Sequence, residues 1–217
     1  MVRKFLPLEN VMRIEHYRHF IGACLLVLGG TFGATPGAAY PPGVGILAKN
    51  RSCASCHVNN GPWEDEARTI IDVLDSTTRL SLRDADGLTT IAVPRGATRT
   101  VLTVIGRAAG EKSPPRRNAW LYVDPAMIGT SALSSFAPGW DVNLPMSCRI
   151  VGDELEGYEG AYITVLPMTL RPSDAARDAE VELQVMLTAG EAVKAKAKEG
   201  LISNLLTRRV FLRVLEP

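Results

Sequence analysis

Cys53-Ala54-Ser55-Cys56-His57 sets two thiols three positions apart, with an imidazole directly behind the second. That spacing suits the covalent attachment of a c-type haem. Each thiol adds across one vinyl group of the porphyrin, and the adjacent imidazole reaches the iron from the proximal side. Cys53 and Cys56 are then the thioether anchors of one covalently bound haem c, and His57 is its proximal ligand. The chain holds only four cysteines and three histidines, so three scarce residues in register carry weight. Two other uses of the pair are weaker. A structural zinc needs four ligands, and beyond residue 57 Cys148 is the one Cys or His left, so carboxylates would have to complete the site. A thioredoxin-type redox pair wants a strand before it and a helix after it. Here Lys49-Asn50-Arg51-Ser52 and Asn59-Asn60-Gly61-Pro62 flank the motif, and both read as loops.

The second axial position draws on few donors. His16 and His19 lie in the leading segment, which leaves sulfur as the main choice. Met127, Met146, Met168 and Met186 remain, together with Cys148. Met146 and Met168 each follow a proline, in Leu144-Pro145-Met146 and Leu166-Pro167-Met168. Proline cannot donate to a strand ladder and marks an edge or bulge, which would re-aim the next side chain. The competing use of both methionines is to fill gaps in a core. Met127 sits in the irregular stretch from Asp124 to Trp140. Met186 falls on the polar face of its strand and ranks last among the four. Cys148 otherwise reads as a small hydrophobe in a strand. An open iron position is the remaining alternative.

The first 40 residues carry another signal. Arg3, Lys4, Arg13 and Arg18 precede an apolar run from Phe20 to Ala34, and Gly37-Ala38-Ala39 follows it before Tyr40. Basic, then apolar, then small is the order of an export signal. The apolar run is shorter than the about 20 residues of a bilayer span. The long lead also fits an uncleaved anchor, so residues 1–39 read as an export signal or membrane anchor, with membrane association through residues 20–34. The formal net charge is +1, and the basic excess sits in this leading segment. The balanced remainder has no nucleic-acid signature. No Gly-rich phosphate loop and no nucleophile–base pair stands out, so the chain reads as an electron-transfer protein more than as an enzyme in its own right.

The elements that must hold the motif are mostly strands. Trp63 to Leu74 has a helical pattern: Glu64, Asp65 and Glu66 suit a first turn, and Ala67, Ile70, Ile71 and Leu74 recur at helical spacing. A second short helix is an option at 173–179 or 191–198. From Thr77 onward the period is two. Runs at 79–83, 89–93, 99–105, 118–124, 141–151, 161–170, 180–188 and 208–215 are rich in alternating or β-branched residues. Turn signals such as Asp86-Gly87, Pro114-Pro115, Pro138-Gly139 and Gly152-Asp153 separate them. The fold predicted is mainly β: a haem-attachment segment with a short helix over residues 40–76, then an antiparallel β-sandwich over 77–217, immunoglobulin-like or Greek-key.

The Cys53-Ala-Ser-Cys56-His57 motif resembles that of the monohaem c-type cytochromes. Most of that family are small helical bundles, and the β character here departs from them. In architecture the chain is loosely similar to cytochrome f, a β-sandwich with one such motif near its mature N-terminus. The resemblance covers the motif, the β-rich body and the start Tyr40-Pro41. It implies export to the periplasm or the outer face of the cytoplasmic membrane. It adds the α-amine of Tyr40, if cleavage falls before it, to the candidate distal ligands. It also implies one-electron transfer with redox partner proteins, as a carrier or as the haem subunit of a membrane-bound oxidoreductase or a photosynthetic or respiratory complex. The alternatives are a docking subunit whose haem is secondary, and a haem sensor or small-molecule binder with an open iron site. Arg95, Arg99, Arg107, Lys112, Arg116 and Arg117, and further on Lys194, Lys196 and Lys198, offer a basic rim for an acidic partner.

Overall fold

A computed structural model of the chain describes residues 58–127, 136–143, 146–189 and 202–216. All of them fall in one unit, Pro41–Pro217. Among the described residues the strands are β1 (Val58–Asn59), β2 (Thr69–Asp75), β3 (Thr89–Pro94), β4 (Arg99–Arg107), β5 (Arg117–Val123), β6 (Trp140–Val142), β7 (Met146–Ile150), β8 (Tyr162–Pro172), β9 (Ala179–Thr188) and β10 (Ile202–Leu215). They form two sheets, so the chain is a mainly β sandwich. One sheet has the order β2-β4-β8-β6 and is antiparallel throughout. The other runs β1-β10-β9-β5-β7, and β3 also pairs with β10.

The second sheet is mixed, where a purely antiparallel one is predicted. β10 pairs antiparallel with β9, but parallel with both β1 and β3. β1 and β3 share its other edge, one near each end. Parallel neighbours need a long connection between them. Pairing a strand near residue 58 with one near residue 202 supplies that through the whole body of the chain.

Period-two sequence explains the core. Val181, Leu183, Val185 and Leu187 alternate along β9 and pack inward with Trp120 and Tyr122 of β5 and Val210 and Leu212 of β10. Ile71, Val73, Val101, Met168 and Leu170 meet them from the other sheet. Two polar links cross the gap. The hydroxyls of Thr103 and Tyr122 share a hydrogen bond of 3.0 Å, and the Asn118 amide donates to the Ile105 carbonyl at 2.9 Å. The outer face of the four-stranded sheet carries a smaller core of Leu74, Leu102, Val104 and Ile163, covered by Leu155, Tyr158 and Ala161.

The helix predicted over Trp63–Leu74 is replaced by a short 3-10 turn, Glu66–Arg68, followed by β2. Asp65 caps the turn by accepting the Ala67 N–H at 3.0 Å. β2 is covered on both faces: Ile71 and Val73 face the main core, while Ile70 and Leu74 face the smaller one. A strand apolar on both faces has no need to alternate, and its residues mimic a helical stripe. The segment 173–179 holds a turn instead of a helix, and 191–198 lies outside the described residues.

Candidate functional site

Cys53, Cys56 and His57 lie outside the described residues, as do Tyr40, the leading segment 1–39 and Lys194, Lys196 and Lys198. The stretch of chain just beyond the motif is fixed to the body. Asn59 pairs with Ser203, and its side-chain oxygen accepts the Leu205 N–H at 3.1 Å and the Asn204 amide at 3.2 Å. The Asn60 and Gly61 N–H groups both donate to the Ser203 carbonyl, at 2.8 and 2.7 Å. The Trp63 N–H donates to Asn204 Oδ1 at 3.1 Å, and its buried indole donates to the Ser113 carbonyl at 2.6 Å. A Cβ at Gly61 would stand 2.8 Å from the Ser203 carbonyl carbon, so only glycine permits this approach. Asn59-Asn60-Gly61-Pro62, legible in the sequence as loop residues, acts as a clasp that holds the chain from residue 59 against β10.

Register then places the sulfur candidates. Side chains of paired residues share a sheet face, so the outer face of the six-stranded sheet is a set of rows. The first row is Asn59, Ser203, Thr188, Arg117 and Ile150. The next, two residues along each strand, is Leu205, Met186, Ala119 and Cys148. The third is Thr207, Gln184, Leu121 and Met146.

The four methionines part company on this map. Met168 is opposite Val101 and fully buried in the core between the sheets, so Pro167 does not swing it outward. Met146 is half-buried at the start of edge strand β7. The backbone of Met127 closes a 3-10 turn, Pro125–Met127, beyond the far end of β5, and its side chain lies outside the described residues. Met186 shares its strand face with Glu180, Glu182 and Gln184, which ranks it last by sequence, and it is 0% exposed. Around it Leu121 is 3% and Val123 1% exposed, and Thr188 and Ser203 are buried as well. None of these belongs to either apolar cluster of the described residues. Cys148 carries a free thiol and is exposed at the sheet edge; packing pushes the thiol up from its ordinary range, with the Arg117 charge partly opposing.

The basic segment is largely spent inside the molecule. Arg95 bonds Glu216 at 2.6 Å, Arg99 bonds Asp75 at 3.0 Å, and buried Arg107 bonds Glu111 at 2.6 Å. An open hollow of about 700 Å³ beside the loop after β7 is lined by Asp153, Glu154, Glu156 and Glu159 with Tyr158. Tyr158 donates to Asp72 at 3.0 Å, which ties the loop to β2. Among the described residues no group of three or more His, Cys, Asp or Glu side chains is placed to hold a metal, and no helix is long and apolar enough to cross a membrane.

The two sheets and their pairing define a β-sandwich protein. No family model matches the chain, and neither does any curated protein. Among solved structures the chain is similar to WR4, a C. elegans member of the MSP family, at 13% identity and a TM-score of 0.31, over 58% of this chain and 92% of that one. It is similar to the seventh ASH/PapD-like domain of human CEP192 at 12% identity and 0.34, over 74% and 95%. A family 123 glycoside hydrolase from Clostridium perfringens matches at 11% identity and 0.30, over 69% of this chain and 27% of that one. These scores are low, and the fold assignment rests on the strand pairing itself.

Proposed function

We propose that this chain is an exported monohaem c-type cytochrome that passes single electrons between partner proteins, as a carrier or as the haem subunit of a larger membrane or periplasmic redox complex. The observation that carries the reading is Cys53-Ala-Ser-Cys56-His57 behind an export-type leader. When bound, the haem supplies a one-electron iron couple whose potential follows its axial ligands, burial and neighbouring charge. The chain supplies the rest. Cys53 and Cys56 would hold the group covalently through their sulfurs, and His57 would bind its iron. The clasp at Asn59, Gly61 and Trp63 supports the reading, because it fixes to the sheet the chain that begins two residues beyond His57.

The test is the exported full-length protein. A pyridine haemochrome assay should give one haem c per chain, and mass spectrometry of the peptide around residues 50–63 should find it on Cys53 and Cys56. His57→Ala should lose the low-spin spectrum, since His16 and His19 lie in the leading segment. Two unmodified thiols in the exported chain would sink the proposal.

A further inference from the structure

The last strand of a sheet offers unpaired N–H and C=O groups to any other chain, and folded proteins usually block it. Several edges of this sandwich are blocked from within. On the free side of β8 the Val165 N–H donates to Asp153 Oδ2 at 2.7 Å, and the Val165 carbonyl accepts from Arg149 at 2.9 Å. The Thr169 N–H donates to Asn143 Oδ1 at 2.8 Å, and the Ile163 carbonyl takes the Gly152 and Asp153 N–H groups at 3.0 and 3.1 Å. Pro167, between these positions, has no N–H to offer. The chain between β2 and β3 covers both of those strands in turn. The Leu82 N–H bonds the Val73 carbonyl at 2.8 Å, the Asp75 N–H bonds the Leu80 carbonyl at 2.9 Å, and the Thr90 N–H bonds the Leu82 carbonyl at 3.4 Å.

β7 is treated differently. It ends its sheet, and among the described residues it pairs with β5 alone. The Val151 N–H donates to the Arg116 carbonyl at 3.0 Å, just past the end of the strand. Bonding alternates along an antiparallel ladder. Ser147 and Arg149 therefore turn their backbone groups to β5, and Met146, Cys148 and Ile150 turn theirs outward. The side chains of the same three residues lie on the outer face, where Cys148 is exposed and Ile150 is 60% exposed. No charge guards that row. The charge β7 does carry, Arg149, is on the other face and bonds the Val165 carbonyl and Asp153.

We infer that β7 pairs antiparallel with β7 of a second copy of this chain, about a two-fold axis at Cys148. In that register the strand is complementary to itself. Met146 stands opposite the partner's Ile150, and Cys148 opposite the partner's Cys148, so the outer row stays apolar across the join. On the other face Ser147 stands opposite the partner's Arg149, and no like charges meet. The same patch serves both copies, as a closed dimer requires. A contact made by one five-residue strand is small, below about 1,200 Å² in total, so the dimer depends on concentration. The inference uses β7 alone and stands apart from the haem reading.

The experiment uses the purified full-length protein. Sedimentation should show the mass rising from monomer toward dimer between about 1 μM and 1 mM, with or without a reducing agent, because the ladder and not a disulfide holds the pair. Over the same range, amide exchange at Cys148 and Ile150 should slow, while Ser147 and Arg149, already bonded to β5, stay as they are. Cys148→Lys puts like charges opposite each other at the axis and should raise the dissociation constant about fivefold, as should Cys148→Glu. An equal mixture of the two variants should associate at least as tightly as wild type, since only the mixed dimer opposes unlike charges. A protein that stays monomeric, a dimer that reductant dissolves, or a mixture no tighter than its components overturns the proposal. If a variant fails to fold, the amide exchange of the wild type decides: Cys148 and Ile150 amides that exchange equally fast at both ends of the range overturn it.

Discussion

Met168 and Met186 are equally hidden and sit in different environments, and truncation should separate them. Met168 fills the core between the sheets. Met168→Ala should cost about 2–5 kcal/mol in urea unfolding, because the cavity adds to the lost transfer energy. The visible spectrum of the folded variant should not change. Tyr122 tests the same core by its polar atom. Tyr122→Phe removes the partner of the buried Thr103 hydroxyl and should cost about 1–3 kcal/mol. Double substitution with Thr103→Val should recover part of that loss. The Cys-x-x-Cys-His spacing is a local pattern on which the sequence reading rests, and it lies outside the described residues. The burial of Met186 is not legible, since Glu180, Glu182 and Gln184 precede it on the same face. That face turns from half-buried at Glu180 and Glu182 to buried at Gln184, Met186 and Thr188 within one strand, and residue polarity does not announce the change.

Most strands are legible to within a residue or two, because alternation with β-branched residues is a local signal. β3, β4, β5, β8 and β9 all fall where the sequence predicts them. The long run at 141–151 divides into β6 and β7, which belong to different sheets. The first half of β10 is missed, since Leu205 and Leu206 stand side by side and break the alternation. β2 is misread as helix for the related reason that both its faces are covered. Two elements carry their own tests. Arg79, in the turn after β2, has φ 61°, a left-handed conformation that suits glycine. Arg79→Gly should therefore raise stability by about 0.5–1 kcal/mol, after the entropy glycine adds to the unfolded chain. A melting curve in which it falls instead would show that the arginine side chain matters more than its backbone. In the clasp, Gly61→Ala drives a Cβ against the Ser203 carbonyl. It should raise hydrogen exchange at Asn60 and Gly61 by at least tenfold while the amides of β9 stay protected.

Acid stability belongs to the whole sandwich, and Asp75 should shape it. Its carboxylate accepts the Thr78 and Thr77 N–H groups and pairs with Arg99 of β4, which lowers its pKa from 3.8 to about 2. The folded state thus binds the proton less tightly than the unfolded state does. The stabilisation is full above pH 3.8 and is lost as pH falls from there to about 2. Asp75→Asn should lower the melting temperature at neutral pH and flatten its fall across that window. The class of the fold is readable from the sequence, while the mixed pairing is not, because it joins residues at opposite ends of the chain. That pairing has a consequence in time. The Trp63 N–H meets Asn204 across 141 positions, and β1 and β3 both lean on β10, the last strand of the sandwich. A chain emerging from the ribosome has no β10 to offer until residues 202–215 have been made. Until then Asn59, Asn60 and Gly61 have no edge to close on, and a folding rate dominated by such distant contacts is slow. The segment that carries Cys53 and Cys56 is thus made well before β10. The clasp shuts only when synthesis has delivered β10.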